Sequence, residues 1–241
     1  AILKVMHIIH HLEARELLFL LPTADEEVFQ WVEQKVYRVM AGALANDFPI
    51  LEFIGGRKNK DSLYTKLLSK PDVSASQIYD KVRFRIVTRS ADDIFPVLNY
   101  VQRSLVPFNF VIPGQSTNTL LRFHDYCQSE PALARWVPDL QLPLDIEYGL
   151  SAIDNRFTAP SYRVVHFIAD VPVRVPAKVL AEAPPQTADL GHTIFVQTEF
   201  QVIERQTDKS NEKGDASHRA YKQRQKLAVM HRLKVGRFNK S

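Results

Sequence analysis

Two segments of this chain alternate with a period of two and set charged or amide side chains against apolar ones. Lys81 to Arg89 (KVRFRIVTR) puts Val82, Phe84 and Ile86 on one face and Arg83 and Arg85 on the other. Ile194 to Ile203 puts Val196, Phe200 and Val202 on one face and Phe195, Gln197, Glu199, Gln201 and Ile203 on the other. A strand apolar on one side, with carboxylate and amides on the other, suits a sheet whose second face lines a cleft. Solvent exposure of that face accounts for the pattern just as simply.

Helical periods surround these strands. Thr23-Ala24-Asp25-Glu26 reads as a capping box opening a helix whose apolar stripe runs Val28, Val32, Val36 and Val39 to about Ala45-Asn46. Asp61 to Lys70 reads as a second helix. Ser90 caps a third, with Ile94, Val97, Leu98, Val101 and Leu105 as its stripe. Tyr162 to Ala169 reads as a further strand, and Ala216 to Val235 as a closing helix. Strands interleaved with helices imply an α/β fold with a mixed sheet flanked by helices. The length suits one large domain or two small ones, and the chain reads as a single domain over 1–241, with the Pro-rich stretch 107–150 as an insertion and 223–241 as a basic C-terminal helix or tail.

Charge narrows the function classes. The 31 Lys+Arg and 27 Asp+Glu give a net of +4, but eight basic and no acidic residues lie between Ala216 and Ser241. The preceding body is therefore net acidic, which argues against a uniformly basic, nucleic-acid-coating surface. One cysteine, Cys127, excludes an intramolecular disulfide framework. No apolar run reaches the roughly 18–20 residues that span a bilayer, and the N-terminal stretch lacks a signal-peptide plan, so the chain reads as soluble, cytoplasmic and without a membrane partner. His7, His10 and His11, and the His124-Asp125 pair, lack the further ligands a metal site needs.

Four places concentrate polar groups. Gly55-Gly56-Arg57-Lys58-Asn59-Lys60-Asp61-Ser62, with Lys66 a helical turn beyond Ser62, offers flexible glycines and cations near a helix start, as a polyphosphate requires. The same composition suits a solvated basic loop, and the Walker spacing is absent. Asp80 opens the strand bearing Arg83 and Arg85, and a carboxylate there can hold Mg²⁺ or join a surface salt-bridge ladder. Glu199 with Gln201 is the third place. The fourth is Tyr162-Arg163-Val164-Val165-His166, whose ring and imidazole can bracket a base or phosphate or simply sit half-buried in a sheet.

In order and spacing these segments resemble the synthetase domain of the RelA/SpoT-like family, which makes ppGpp and pppGpp. The resemblance is carried by Lys58, Ser62, Leu63 and Lys66; by Asp80 with Arg85-Ile86; by Tyr162 and His166; by Glu199-Phe200-Gln201; and by Glu212-Lys213-Gly214-Asp215-Ala216-Ser217-His218-Arg219-Ala220-Tyr221-Lys222, which meets its signature in full. It implies a nucleotidyltransferase-like fold and transfer of pyrophosphate from ATP to the ribose 3′-hydroxyl of GDP or GTP. Asp80 and Glu199 would be the catalytic, Mg²⁺-holding carboxylates, and Glu199 would also polarise the attacking hydroxyl. Arg57, Lys58, Ser62, Lys66 and Arg85 would bind ATP. Tyr162, His166, Gln201 and Arg156 would serve the acceptor. Arg83 stands where the family has a small residue, and Thr158-Ala159-Pro160-Ser161 replaces its usual Lys and Asn-Gly before the Tyr. Those departures admit other acceptors, an adenine nucleotide or a tRNA 3′ end gripped by the basic tail, and a non-catalytic nucleotide sensor. The oligomeric state is open.

Overall fold

The computed structural model describes residues 2–58, 60–69, 81–121, 123–138 and 157–238. Five strands form one mixed sheet in the order β1-β2-β5-β4-β3, from β1 (Ile50–Arg57), β2 (Val82–Thr88), β3 (Val111–Asn118), β4 (Val165–Arg174) and β5 (Thr193–Glu204). β2 and β5 run parallel at the centre, and the remaining neighbours are antiparallel. The helices are α1 (Ile2–Leu20), α2 (Asp25–Ala45), α3 (Lys60–Ser69), α4 (Ile94–Ser104), α5 (Phe123–Ser129), α6 (Pro131–Ala134), α7 (Ala177–Ala181), α8 (Arg205–Asn211) and α9 (His218–Phe238). The expected α/β architecture with a mixed sheet and flanking helices is what the chain adopts.

Alternation in the central strands divides the sheet into two chemistries. On one face Phe53, Phe84, Phe200 and Phe167, from four adjacent strands, stack in a row with centroids 5.4, 5.8 and 5.2 Å apart. α2 covers this face with Val28, Val32, Val36, Met40 and Ala43, spaced close to one helical period, and α4 adds Ile94, Val97 and Val101. Burying a ring of this size contributes roughly 1.5–3 kcal/mol, so the row pins the strand register. The opposite face carries the polar side chains considered below.

Several local expectations shift. The glycines read as a flexible loop lie inside β1. A Cβ at Gly55 would meet Tyr37 Oη at 2.3 Å and Phe84 Cε1 at 2.9 Å, so glycine is there for close packing and not for mobility. The α2 N-cap is Ala24, with no side-chain cap; Thr23 bonds the Glu27 carboxylate. At α4 the N-cap is Asp93, whose carboxylate accepts from Ser90 N and Oγ. The stretch taken as an insertion supplies edge strand β3, while 139–150 lie outside the described residues. The strand expected from Tyr162 begins only at Val165 and runs on to Arg174.

β5 is longer than its partner: its pairing with β2 begins at Thr198, and α1 packs against β5. His11 stacks on Phe195 at 4.1 Å, and its Nδ1 lies 3.6 Å from Asp170 Oδ2. Burial pushes both groups toward their neutral forms. It lowers His11, and it raises the Asp170 carboxyl to about 6, with His7 pulling the latter back.

Two outcomes follow from this packing. Gly55→Ala should destabilise the fold by about 1–3 kcal/mol through overpacking, read as a lower urea midpoint at unchanged slope; an unshifted midpoint contradicts the close approach. The folded chain also holds a proton on Asp170 that the unfolded chain, at the ordinary 3.8, has released. Stability due to this group is therefore present at low pH and declines as pH rises from about 4 to about 6. Asp170→Asn should remove that slope in urea titrations across the range, and an unchanged slope would show that Asp170 is not its source.

Candidate functional site

The face opposite the phenylalanine row gathers side chains far apart in sequence. In the parallel pairing Arg83 stands beside Glu199 and Arg85 beside Gln201, while on the other side of β5 His166 pairs with Gln201. Glu199 is buried, 7% exposed. Its Oε1 accepts from Gln201 Nε2 at 2.7 Å and lies 3.3 Å from His166 Nε2. One carboxylate is thus held between an amide and an imidazole, with a guanidinium on the next strand. A buried charge of this kind persists only with such partners.

Arg85 is tied to the segment that follows β5. Its Nη2 lies 2.5 Å from Asp208 Oδ1 on α8, while its Nε is buried and, among the described residues, has no hydrogen-bond partner. That open N–H is a donor suited to a phosphate oxygen. Burial raises the Tyr162 hydroxyl above the ordinary tyrosine value; Arg85 and Arg83 pull it down, and Glu199 and Asp208 push it up. Tyr162 therefore stands in the field of the same four groups.

A second wall comes from α3 and α9, which pack side by side: Lys222 Nζ donates to Ser62 Oγ at 3.0 Å, and Arg232 Nη1 to Leu68 O at 2.9 Å. α9 starts from a turn in which Gly214 has φ +57, the left-handed region that favours glycine, and Ser217 Oγ accepts from Ala220 N. This accounts for the glycine of the Glu212–Lys222 signature. His218, at the start of the helix, is held below the ordinary histidine value by burial, then by Lys222, Arg83 and Lys58. Those cations bring Lys58, Arg83, Lys222 and Ser62 into one neighbourhood.

Of the residues picked from sequence, Lys58, Ser62, Arg85, Tyr162, His166, Glu199 and Gln201 converge here. Lys66 lies on α3. Asp80 and Arg156 lie outside the described residues. Arg57 goes elsewhere: as the next residue but one after Gly55 it turns to the α2 side, where Nε and Nη2 each donate to Glu33 at 2.7 Å and Nη1 to Glu26 at 2.5 Å. Two carboxylates of α2 claim this guanidinium, so in this structure it clasps β1 to α2. The basic tail is similarly engaged in part, since Arg224 donates to Phe157 O and Asp215 O, and Arg232 to Leu68 O.

Sequence reasoning passed over Asp208 and Asn211, which no motif marks, and gave His218 and Lys222 no role although both stand in the signature. As a metal site, the chemistry of Glu199 fits Mg²⁺, a hard cation that takes one or two carboxylates and completes its shell with water and phosphate oxygens. Among the described residues no group of three His, Cys, Asp or Glu side chains forms an all-protein cage. Nor, among them, is any helix long and apolar enough to cross a membrane.

No protein-family model matches the sequence, and no curated protein matches it. Among solved structures the chain is similar to small alarmone synthetase 2 from Bacillus subtilis, at 16% identity and TM-score 0.44, over 90% of this chain and 97% of that one. It is similar to small alarmone synthetase 1 from the same organism, bound to its product pppGpp, at 12% identity and TM-score 0.43, over 89% and 92%. A GTP pyrophosphokinase family protein from Streptococcus pneumoniae matches at 10% identity and TM-score 0.41, over 87% of this chain and 84% of that one.

Proposed function

We propose that the chain is an ATP-dependent pyrophosphotransferase that moves the β,γ-pyrophosphate of ATP to the ribose 3′-hydroxyl of GDP or GTP and releases AMP. The observation that carries this reading is the juxtaposition of buried Glu199, braced by Gln201 and His166, with Arg83 and Arg85 on the next strand, Arg83 in turn sharing the neighbourhood of His218 with Lys58 and Lys222. Phosphoryl-type transfer asks for this equipment: cations that neutralise developing charge, and one carboxylate placed to take a proton.

In the proposed step the acceptor 3′-oxygen attacks the β-phosphorus of ATP, the bond from that phosphorus to the α,β-bridging oxygen breaks, and AMP leaves with the electron pair. Glu199 accepts the hydroxyl proton. Arg85, with its open Nε, and Lys58 and Lys222 at the α3 wall hold phosphate oxygens; Ser62 keeps the Lys222 ammonium aimed. Tyr162 supplies a ring for the acceptor base and His166 keeps the Glu199 carboxylate oriented. Glu199, with Asp80 from the sequence resemblance, would hold Mg²⁺, which when bound neutralises the charge of the triphosphate. Arg57 has no part in the step.

Glu199→Gln keeps size and hydrogen-bonding capacity and removes the charge, so AMP release from ATP with Mg²⁺ and GDP should fall by at least about a hundredfold, with thermal unfolding unchanged. A variant that releases AMP at the wild-type rate would refute the assignment of Glu199.

A further inference from the structure

α8 is seven residues long and follows β5 without a loop. Its start is fixed by Glu204, the last residue of β5, whose carboxylate accepts the backbone N–H of Gln206 at 2.6 Å and of Thr207 at 2.7 Å and also bonds the Thr207 hydroxyl. The helix is thus capped onto the strand that carries Glu199 and Gln201. Asp208 and Asn211 are three residues apart, so they lie on one helix face.

Those two side chains reach different parts of the site. Asp208 meets the Arg85 guanidinium on β2. Asn211, 4% exposed, makes a two-bond pair with a single residue: its Oδ1 accepts from Arg163 N at 3.2 Å and its Nδ2 donates to Arg163 O at 2.7 Å. From the other side Thr119 Oγ1 donates to Tyr162 O at 3.1 Å and accepts from Val164 N at 3.0 Å. Tyr162 precedes β4, and these bonds, with Tyr162 N donating to Ala159 O at 3.0 Å, hold the backbone from which its ring projects.

We infer that α8 is a bracket that positions both halves of the site at once, Asp208 holding Arg85 for the ATP phosphates and Asn211 holding the backbone that aims Tyr162 at the acceptor base. The inference rests on the pyrophosphotransferase reading for what the two halves bind. Its geometric content stands apart from it. Asp208 and Asn211 are positioning residues that act through Arg85 and Tyr162, and one turn of helix joins groups that serve different substrates.

The test compares Asn211→Ala, Asp208→Asn and the double variant with wild type by calorimetric binding of GDP and of a non-hydrolysable ATP analogue with Mg²⁺, and by amide hydrogen exchange. Asn211→Ala should speed exchange at Arg163 and weaken GDP binding about tenfold while leaving the ATP analogue within about twofold. Asp208→Asn should do the reverse, weakening the ATP analogue first. A purely structural role would lower the unfolding temperature and move both affinities together or neither. Faster exchange at Arg163 with unchanged GDP affinity overturns the bracket and leaves the transferase reading intact. If wild type binds neither nucleotide, both fall.

Discussion

The stacking of Phe84 on Phe200 across the parallel β2–β5 pair is the contact on which the site depends. In a strand the side-chain period is two, so fixing which residues face the helices also fixes which face the cleft. With Phe84 opposite Phe200, Arg83 falls beside Glu199 and Arg85 beside Gln201. A slip by one residue would bury the arginines under α2 and turn the phenylalanines out. Phe53 and Phe167 extend the row to the flanking strands, and β4 thereby brings His166 to Gln201. The apolar face is thus the device that assembles the polar one.

The polar face has its own internal balance. Lys58, Arg83, Arg85 and Lys222 would repel one another if left alone, and each nearby anion or neutral acceptor offsets part of that repulsion. Asp208 answers Arg85, Ser62 accepts from Lys222, and Glu199 stands beside Arg83. Burial, then the cations around it, lower the proton affinity of His218 and so disfavour another positive charge there. Among the described residues of this face those four cations outnumber Glu199 and Asp208, a field of the sign that attracts a polyanion.

Much of this was legible in the chain because the central strands alternate so strictly. β2 and β5 can be read to within a residue or two, and the carboxylate and amide on the cleft side of β5, the imidazole of β4 and the tyrosine before β4 follow from spacing and resemblance. Legibility failed where a tertiary contact decides. Gly55-Gly56 looks like a hinge until Tyr37 and Phe84 are seen against it. Arg57 reads as one more cation of a basic cluster, yet strand parity and two glutamates about two turns apart on α2 turn it away. Tyr162 and Arg163 alternate like a strand but bond to Asn211 and Thr119 instead of to a ladder, so the strand starts later. Asp208 and Asn211 carry no motif because their partners lie on distant segments. β3 hid in a Pro-rich stretch because an edge strand has only one neighbour to please.

Under the proposed reaction this face transfers the two terminal phosphates of ATP as a unit. Following γ-labelled ATP, with AMP measured in the same samples, tests it most directly in the presence of GDP or GTP and Mg²⁺. Label should move to the guanine nucleotide in step with AMP formed, and none should emerge as inorganic phosphate. Label that stays in ATP, or leaves as free phosphate without AMP, would contradict it.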